Sequence, residues 1–125
     1  MTKATTDATH FDSVTPRIPV TDIDAALAFY CDQLGFQLAW KWGTPLTHAG
    51  IYHNEVSLDL ILLPAKAGTA MVYIRVSGVD AYYASLHGRE VNLTLIDDRP
   101  YGLRDFEVID PWGNRLAFGQ VLDDE

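Results

Sequence analysis

The chain has 125 residues, of which 48% are hydrophobic and 21% charged, a size and composition typical of one globular domain or of two half-domains sharing a core. Its formal net charge of −8 argues against nucleic acid as a partner and favours cationic ligands, unless the acids simply coat the surface. Cys31 is the single cysteine, so no internal disulfide can form. The sequence has neither a ~18-residue apolar run nor an N-terminal signal pattern. We therefore expect no membrane partner and a cytoplasmic location.

The first third of the chain predicts an arm, an edge strand and a helix. Residues 1–12 show no periodicity, so we expect a flexible arm. Residues 13–20 alternate weakly and contain two prolines, which lack ladder donors, so this strand is predicted either to lie at a sheet edge or to be interrupted. A helix is predicted from the capping residues Thr21 and Asp22 to Gly35. Its buried stripe is predicted to be Ile23, Leu27, Tyr30 and Leu34.

Three further strands are predicted in this half of the chain. The alternation over residues 36–42 predicts a strand with one strongly aromatic face, formed by Phe36, Leu38, Trp40 and Trp42. Residues 47–53 and 56–63 are predicted to pair around a two-residue turn, which places Gly50 opposite Asp59. One face of this hairpin then carries His48, Tyr52, Ser57, Asp59 and Ile61.

The second half of the chain repeats the first. Residues 76–81 mirror residues 20–25, and strands, a helix and a closing hairpin follow in the same order. These elements are predicted as a strand over 71–76, a helix striped by Val79, Tyr83 and Leu86, a strand over 91–96 and a hairpin over 103–119. We therefore expect an α+β fold in which two βαβββ modules, residues 13–64 and 65–125, form curved mixed sheets around a cleft.

The closing hairpin carries the most specific pattern in the chain. Its turn, Asp-Pro-Trp-Gly-Asn at residues 110–114, combines residues that favour tight turns. The run resembles the last hairpin of the glyoxalase/bleomycin-resistance/extradiol-dioxygenase superfamily, the vicinal oxygen chelate group, and most closely its bleomycin-resistance branch. The matching positions are Gly102, Arg104, Asp105, Phe106, Asp110, Pro111, Gly113, Asn114 and Phe118. Residues 19–36 resemble the family's opening strand, helix and turn, so the likeness extends over roughly residues 14–120.

The resemblance also identifies where a metal would be held. Metal-dependent members of the superfamily take their ligands from the first and last strands of each half, which here gives Thr15, Asp59, Met71 and Ala117. Only Asp59 is a ligand that a hard or borderline divalent ion favours. We therefore expect no metal, no other cofactor and no catalytic residue. A metal-free acid–base role for His48 beside Asp59 stays open.

Aromatic rings and acids remain as candidates for ligand binding. Rings stack on planar ligands, and their π faces attract cations. In the resembled bleomycin-resistance proteins an aromatic residue at the position of Tyr101 stacks on the drug. The predicted ligand-binding residues are Trp40, Trp42, Tyr52, Asp59, Tyr73 and Tyr101. The alternative for the two tryptophans is a place in the core.

The resemblance implies a non-catalytic protein that sequesters a planar aromatic or cationic compound, in clefts shared by the two subunits of a homodimer. An enzyme of the same superfamily, a lyase, isomerase or dioxygenase, is the alternative, and a module used only for protein contact is a third possibility. Arg104 is predicted to pair with a carboxylate of its own hairpin, either Asp105, Glu107 or Asp110.

Overall fold

The computed structural model describes residues 8–123. Residues 8–12 are exposed and lie in neither helix nor strand, and the rest of the predicted arm falls outside the described range. The first half contains β1 (Arg17–Val20), α1 (Ile23–Leu27) continuing as a π-helix (Ala28–Gln33), β2 (Gln37–Trp42), β3 (His48–His53) and β4 (Val56–Leu62). A 3₁₀ turn (Pro64–Lys66) leads to β5 (Met71–Arg75), α2 (Val79–Leu86), β6 (Asn92–Leu93), β7 (Asp97–Asp98), β8 (Leu103–Ile109) and β9 (Arg115–Val121).

The strands form two sheets with matching internal order. The first sheet has the order β1-β4-β3-β2, and the second has the order β5-β9-β8-β6, with β7 also paired to β8. In the first sheet β1 runs parallel to β4, and in the second sheet β5 runs parallel to β9. All the other strand pairs are antiparallel. The α+β class, the repeated topology and the edge position of β1 are therefore confirmed. The division of the chain between residues 64 and 65 stays a prediction.

The first helix begins as predicted but changes type midway. Asp22 caps it by accepting a hydrogen bond from the backbone N–H of Ala25 at 2.9 Å. The π-helical stretch then shifts the helical periodicity, so that two adjacent residues, Phe29 and Tyr30, both enter the core. The predicted stripe is wrong at Leu27, which is only partly buried. The buried residues are Ile23, Ala26, Phe29, Tyr30 and Leu34.

The predicted aromatic face of β2 is wrong because the strand contains a β-bulge. Leu38 pairs with the buried Ile51, but the next paired residue is Trp40, which lies opposite Gly50. The extra residue between them turns Trp40 and Trp42 to the side of the sheet opposite to Leu38. Trp40 is 44% exposed and Trp42 is 66% exposed, so the alternative that places them in the core is also wrong.

The strand predicted over residues 91–96 is interrupted. Both β6 and β7 pair with β8, but Leu93 lies opposite Val108 whereas Asp97 lies opposite Asp105. Between these two pairs the edge therefore contains one more residue than β8. Leu95, in this stretch, projects into solvent. The result is a short, irregular edge to the second sheet.

The core lies on the helix-covered faces of both sheets. The first helix packs on β3 and β4, and α2 packs on β8 and β9. Tyr82 links the two halves, because its ring lies 5.1 Å from that of Phe118 and its hydroxyl donates to the Leu34 carbonyl at 2.7 Å. Among residues 8–123, every helix falls short of the length and apolarity that a membrane crossing needs. The faces of the sheets that no helix covers are called the open faces below.

The turn at residues 110–114 joins the two halves through a buried polar network. One oxygen of Asp110, Oδ2, accepts hydrogen bonds from the Tyr30 hydroxyl at 2.8 Å and from the Asn114 amide at 2.9 Å. The same amide donates to the Pro19 carbonyl at 2.9 Å. Burial, and then the neighbouring Asp110 charge, raise the pKa of Tyr30 far above its ordinary value. The turn that contributes most to the family resemblance is thus a structural junction between the halves.

Candidate functional site

The register of the first sheet places both predicted tryptophans on its open face. Trp40 lies opposite Gly50, which in turn lies opposite Asp59. The neighbouring row places Trp42 opposite His48. Because paired residues of a ladder share a face, the tryptophans and Asp59 lie on one side of the sheet. The predicted pairing of Gly50 with Asp59 is confirmed. The first open face includes Arg17, Gln37, Trp40, Trp42, His48, Gly50, Tyr52, Ser57, Asp59 and Ile61.

Trp40 packs directly over Gly50. A Cβ atom built at Gly50 would clash with the indole ring, so a residue without a side chain is needed for this close approach. The indole therefore rests on the backbone of β3 while much of it stays in contact with solvent. A ring held in this way is available for stacking without first having to leave a core.

His48 makes contacts that do not include Asp59. Its Nδ1 atom lies 2.8 Å from the Thr47 hydroxyl, and its ring packs edge-on against Trp42 with centroids 5.7 Å apart. Within the described residues no hydrogen bond joins His48 to Asp59, so the acid–base pair considered from the sequence is not formed. Asp59 is half-buried, and Tyr52 lies exposed on the same face.

The second open face carries an ion pair at its centre. Tyr73, Ala117 and Glu107 form one row across β5, β9 and β8. Arg115, in the next row, contacts Glu107 with its guanidinium nitrogen 2.6 Å from Oε1. Met71 pairs with Arg115 and is 76% exposed. This face therefore mixes paired charges with an exposed aromatic ring and an exposed thioether.

Asp105 binds three side chains at the end of the second open face. Its Oδ2 atom accepts hydrogen bonds from the hydroxyls of Tyr73 at 2.8 Å and Tyr101 at 2.7 Å. Its Oδ1 atom accepts one from Arg99 Nε at 2.7 Å. Tyr73 reaches the carboxylate by crossing Gly119, where a Cβ would clash with the phenol. Asp105 is 5% exposed, whereas Tyr73 and Tyr101 are 45% and 63% exposed.

These contacts decide the protonation of the cluster. Burial alone would raise the pKa of Asp105, but the hydrogen bonds from Tyr101, Arg99 and Tyr73 hold that pKa below its ordinary value. Partial burial and the hydrogen bond to Asp105 raise the pKa of Tyr73 to about 12. The hydrogen bond to Asp105 also raises the pKa of Tyr101. At neutral pH the cluster therefore contains one ionised carboxylate and two protonated phenols.

The partners predicted for Arg104 are wrong. Its guanidinium pairs instead with Asp80 and Asp98, each at 2.9 Å. Adjacent residues of a strand point to opposite faces, so Arg104 is directed away from Asp105 and toward the side covered by α2. Asp105 is left to bind Arg99.

The positions that hold ligands in related metal enzymes do not fit a metal in this chain. Asp59 and Ala117 occupy equivalent places in the two sheets. Asp59 lies on β4 where that strand pairs with β1, and Ala117 lies on β9 where that strand pairs with β5. Ala117 has no donor atom, and Thr15 and Met71 are poor ligands for divalent ions that favour imidazole or carboxylate. In the part of the chain that the structure describes, no three His, Cys, Asp or Glu side chains are grouped to hold an ion.

We expect the purified protein to contain no stoichiometric divalent metal, because three of the four ligand positions are filled by Thr15, Met71 and Ala117. Treatment with EDTA should leave the melting temperature unchanged, since no metal-binding energy contributes to folding. Elemental analysis and thermal unfolding with and without EDTA check this. About one equivalent of reversibly bound metal per chain would contradict it.

The predicted ligand-binding residues lie mainly outside the cavities. One cavity of about 500 Å³ lies between the β3–β4 turn and the start of α2 and contains none of them. Its lining includes Phe36, His53, Glu55, Arg75, Tyr82 and Phe118. A second, of about 410 Å³, is lined by Trp42 together with residues 43–45 and 47. The candidate site is thus an exposed surface rather than an enclosed pocket of the single chain.

The structure brings the predicted residues together in two groups. Trp40, Trp42, Tyr52 and Asp59 share the first open face, and Tyr73 and Tyr101 are joined through Asp105 on the second. No hydrogen bond or ring contact within residues 8–123 joins the two groups. The sequence indicated Asp105 as a position of the family resemblance and as a partner of Arg104, but not as a site residue, and it gave no role to Arg99. The alternation of side chains along β8 could have identified Asp105 as a residue of the open face. Its neighbour Phe106 is buried, and adjacent residues of a strand point to opposite faces.

Two sheets of matching βαβββ topology define the vicinal oxygen chelate class of fold. A family model described as the Glyoxalase/Bleomycin resistance protein/Dioxygenase superfamily matches residues 10–118. The chain therefore belongs to this superfamily.

Similar proteins fall on the bleomycin-resistance side of the superfamily. A bleomycin resistance protein of Geobacillus stearothermophilus is 32% identical over 130 residues, covering 86% of this chain and 95% of that protein. A bleomycin resistance protein of Staphylococcus aureus matches to the same extent.

Two solved structures share the fold. The bleomycin-binding protein of bleomycin-producing Streptomyces verticillus, complexed with copper(II)-bleomycin, superimposes with a TM-score of 0.76 at 22% identity and covers 94% of this chain and 100% of its own. TnmS3, an antibiotic binding protein from Streptomyces sp. CB03234, gives a TM-score of 0.73 at 26% identity, with 90% and 99% of the chains covered.

Proposed function

We propose that this protein is a non-catalytic binding protein that sequesters a planar aromatic or cationic, antibiotic-like compound in the cytoplasm. Similar proteins include bleomycin resistance proteins and an antibiotic binding protein, which favours this function over that of an enzyme. The metal-ligand positions point the same way, because the residues present there cannot assemble the site that the metal-dependent enzymes of the superfamily use.

The observation that carries the proposal is the exposure of large aromatic side chains on both open faces. Trp40, Trp42, Tyr73 and Tyr101 are between 44% and 66% exposed, although burying such rings is normally favourable. Exposed apolar patches on a folded protein mark places where a ligand or a partner binds. Rings at these positions give the area and the π faces that a planar or cationic ligand needs.

Charge supports the choice of ligand. The chain has 17 acidic and 9 basic residues, and Asp59 lies in the same row as Trp40. The overall negative charge attracts a cation to the protein, and the Trp40 ring and the Asp59 carboxylate favour it on this face, while Arg17, opposite Asp59 on β1, offsets part of the carboxylate's charge.

A thermal-shift screen tests the proposal. Bleomycin, other planar natural products and divalent metals are each added to the purified protein. A compound that binds only the folded state raises the melting temperature by mass action, so we expect bleomycin or a planar cationic compound to raise it in a dose-dependent manner. If every planar and cationic compound leaves the melting temperature unchanged while an enzyme substrate of the superfamily is turned over, the binding function is contradicted.

We further propose that the clefts form in a homodimer. Each chain exposes its two groups of rings on separate open faces, and a second copy could bring the first face of one chain opposite the second face of the other. Met71 and Val121 add exposed apolar area on the second open face. A two-fold dimer is the commonest closed oligomer and would cover this surface.

We expect multi-angle light scattering to give twice the mass of the chain at micromolar concentration, because the exposed apolar surface is covered in the dimer. A charge placed in that surface, Met71→Glu, should shift the equilibrium toward monomer, whereas Asp12→Lys, in the exposed segment before β1, should not. A wild-type mass equal to one chain at every concentration would contradict the dimer.

A further inference from the structure

We propose that Asp105 turns the hydroxyls of Tyr73 and Tyr101 into hydrogen-bond acceptors toward a ligand, so that these two phenols of the second open face select ligands presenting N–H or O–H donors. The inference rests on the proposed function and specifies the chemical class of its ligand. It depends on the direction of the hydrogen bonds in the cluster.

Each phenol of the cluster already donates its proton to a hydrogen bond within the cluster. A tyrosine hydroxyl carries one O–H donor, and its oxygen can also accept. The hydroxyls of Tyr73 and Tyr101 both donate to Oδ2 of Asp105, at 2.8 and 2.7 Å. An ionised carboxylate can only accept, so neither hydrogen bond can run in the opposite direction. The lone pairs of the phenol oxygens are what remains for a ligand.

Arg99 fixes the carboxylate in this role. Its Nε donates to Asp105 Oδ1 at 2.7 Å, and its NH2 group donates to the backbone carbonyls of Leu95 at 2.9 Å and of Asp105 at 3.1 Å. Two of the three guanidinium nitrogens are therefore engaged by the carboxylate and the strand edge. Hydrogen bonds to a charged acceptor also polarise the phenols and make their oxygens stronger acceptors.

The ligand chemistry follows from this arrangement. An amide N–H, an amine, an ammonium or a hydroxyl can donate to the phenol oxygens of Tyr73 and Tyr101 while a planar group stacks on their rings. A carbonyl, ether or carboxylate at the same place would face acceptors and lose its own hydration without compensation. The two phenol oxygens therefore discriminate by hydrogen-bond direction in addition to charge.

A pair of neutral probes separates hydrogen-bond direction from charge. 2-Naphthol and 2-methoxynaphthalene share one aromatic ring system, but only the former has an O–H donor. One hydrogen bond contributes a few-fold to ten-fold in affinity, so we expect 2-naphthol to bind about 3- to 10-fold more tightly, as measured by tryptophan and tyrosine fluorescence titration. Equal binding of the two probes, preference for the ether, or no binding of either would overturn the inference.

Asp105→Asn tests the cause of the preference. Arg99 Nε needs an acceptor, so the new amide should direct its carbonyl to Arg99 and its NH2 group to the phenols, which then turn their protons outward. The preference for 2-naphthol should fall to about one or reverse, and the pKa of Tyr73 should drop below about 12 in an absorbance titration. Asp98→Asn, which removes the same charge from a carboxylate bound to Arg104, should retain both properties.

A second variant guards against a folding defect in Asp105→Asn. Tyr101→Phe keeps the ring and the Asp105–Tyr73 hydrogen bond but removes one acceptor, so its preference for 2-naphthol should also decrease. An unchanged preference in both variants would overturn the inference. Bleomycin titrated into the wild-type protein in parallel tests the proposed function separately, because its binding does not depend on the ratio of the two probes.

Discussion

Replacing Asp110 with alanine is expected to lower the free energy of unfolding by about 3–5 kcal/mol, the cost of removing one partner from a buried charged network. The carboxylate accepts hydrogen bonds from the Tyr30 hydroxyl, the Asn114 amide and two backbone N–H groups of its own turn. Asp110 is 3% exposed and Tyr30 is fully buried, so water cannot replace these bonds without disrupting the core. Urea unfolding monitored by circular dichroism measures the effect.

Two variants control this result. Tyr30→Phe removes one donor and leaves the rest of the Asp110 network in place, so its cost should be smaller, about 1–2 kcal/mol. Asp98→Ala removes an exposed carboxylate that pairs only with Arg104, and its cost should be within about 1 kcal/mol. A loss at Asp110 no larger than the loss at Asp98 would contradict the role of the turn as a junction between the halves.

Replacing Trp40 or Tyr101 with alanine is expected to weaken ligand binding by about 1–3 kcal/mol each, the scale measured for stacking of a base on an aromatic side chain. Because both side chains are substantially exposed, the free energy of unfolding should fall by about 1–2 kcal/mol, less than the ~3–5 kcal/mol typical of removing a fully buried tryptophan. Bleomycin, or the best compound of the thermal-shift screen, is titrated into each variant, and urea unfolding is measured in parallel.

Trp112→Phe is the matched control for these variants. Trp112 lies in the turn between β8 and β9 and donates from its indole nitrogen to the Thr21 hydroxyl, away from both open faces. Its loss should leave ligand affinity unchanged. If Trp40→Ala and Tyr101→Ala bind as tightly as the wild-type protein, the exposed rings are not the binding surface. Dependence on salt adds a check, because screening should weaken a cationic ligand more than a neutral one.

The topology could be predicted because it follows from short-range sequence patterns that occur in both halves of the chain. Alternation identified most strands, the capping residue Asp22 marked the start of a helix, and the similarity of residues 20–25 to residues 76–81 implied two equal units. The turn at 110–114 carried enough specific residues to indicate the family. Its physical role, a hydrogen-bond junction with Tyr30, could not be inferred, because the partner lies 80 positions away in the sequence.

The details of the site depended on irregularities that the sequence does not reveal. One extra residue in β2 reverses the direction of every later side chain, so period-2 reasoning assigned Trp40 to the same face as Leu38. The predicted set of rings was nevertheless useful, because the bulge moved both tryptophans to the open face together. Asp105 was harder to assign, since its contacts with Tyr73 and Arg99 require the second sheet to be assembled.

The central claim is that the open faces bind a planar or cationic compound without a metal or a chemical reaction. Isothermal titration of the EDTA-treated protein with bleomycin, followed by recovery of the compound and its analysis by mass spectrometry, tests this claim most directly. We expect saturable binding, lost in the Trp40→Ala/Tyr101→Ala double variant, and recovery of bleomycin with its mass unchanged. Absence of saturable binding by the EDTA-treated protein, or recovery of a chemically altered compound, would contradict the claim.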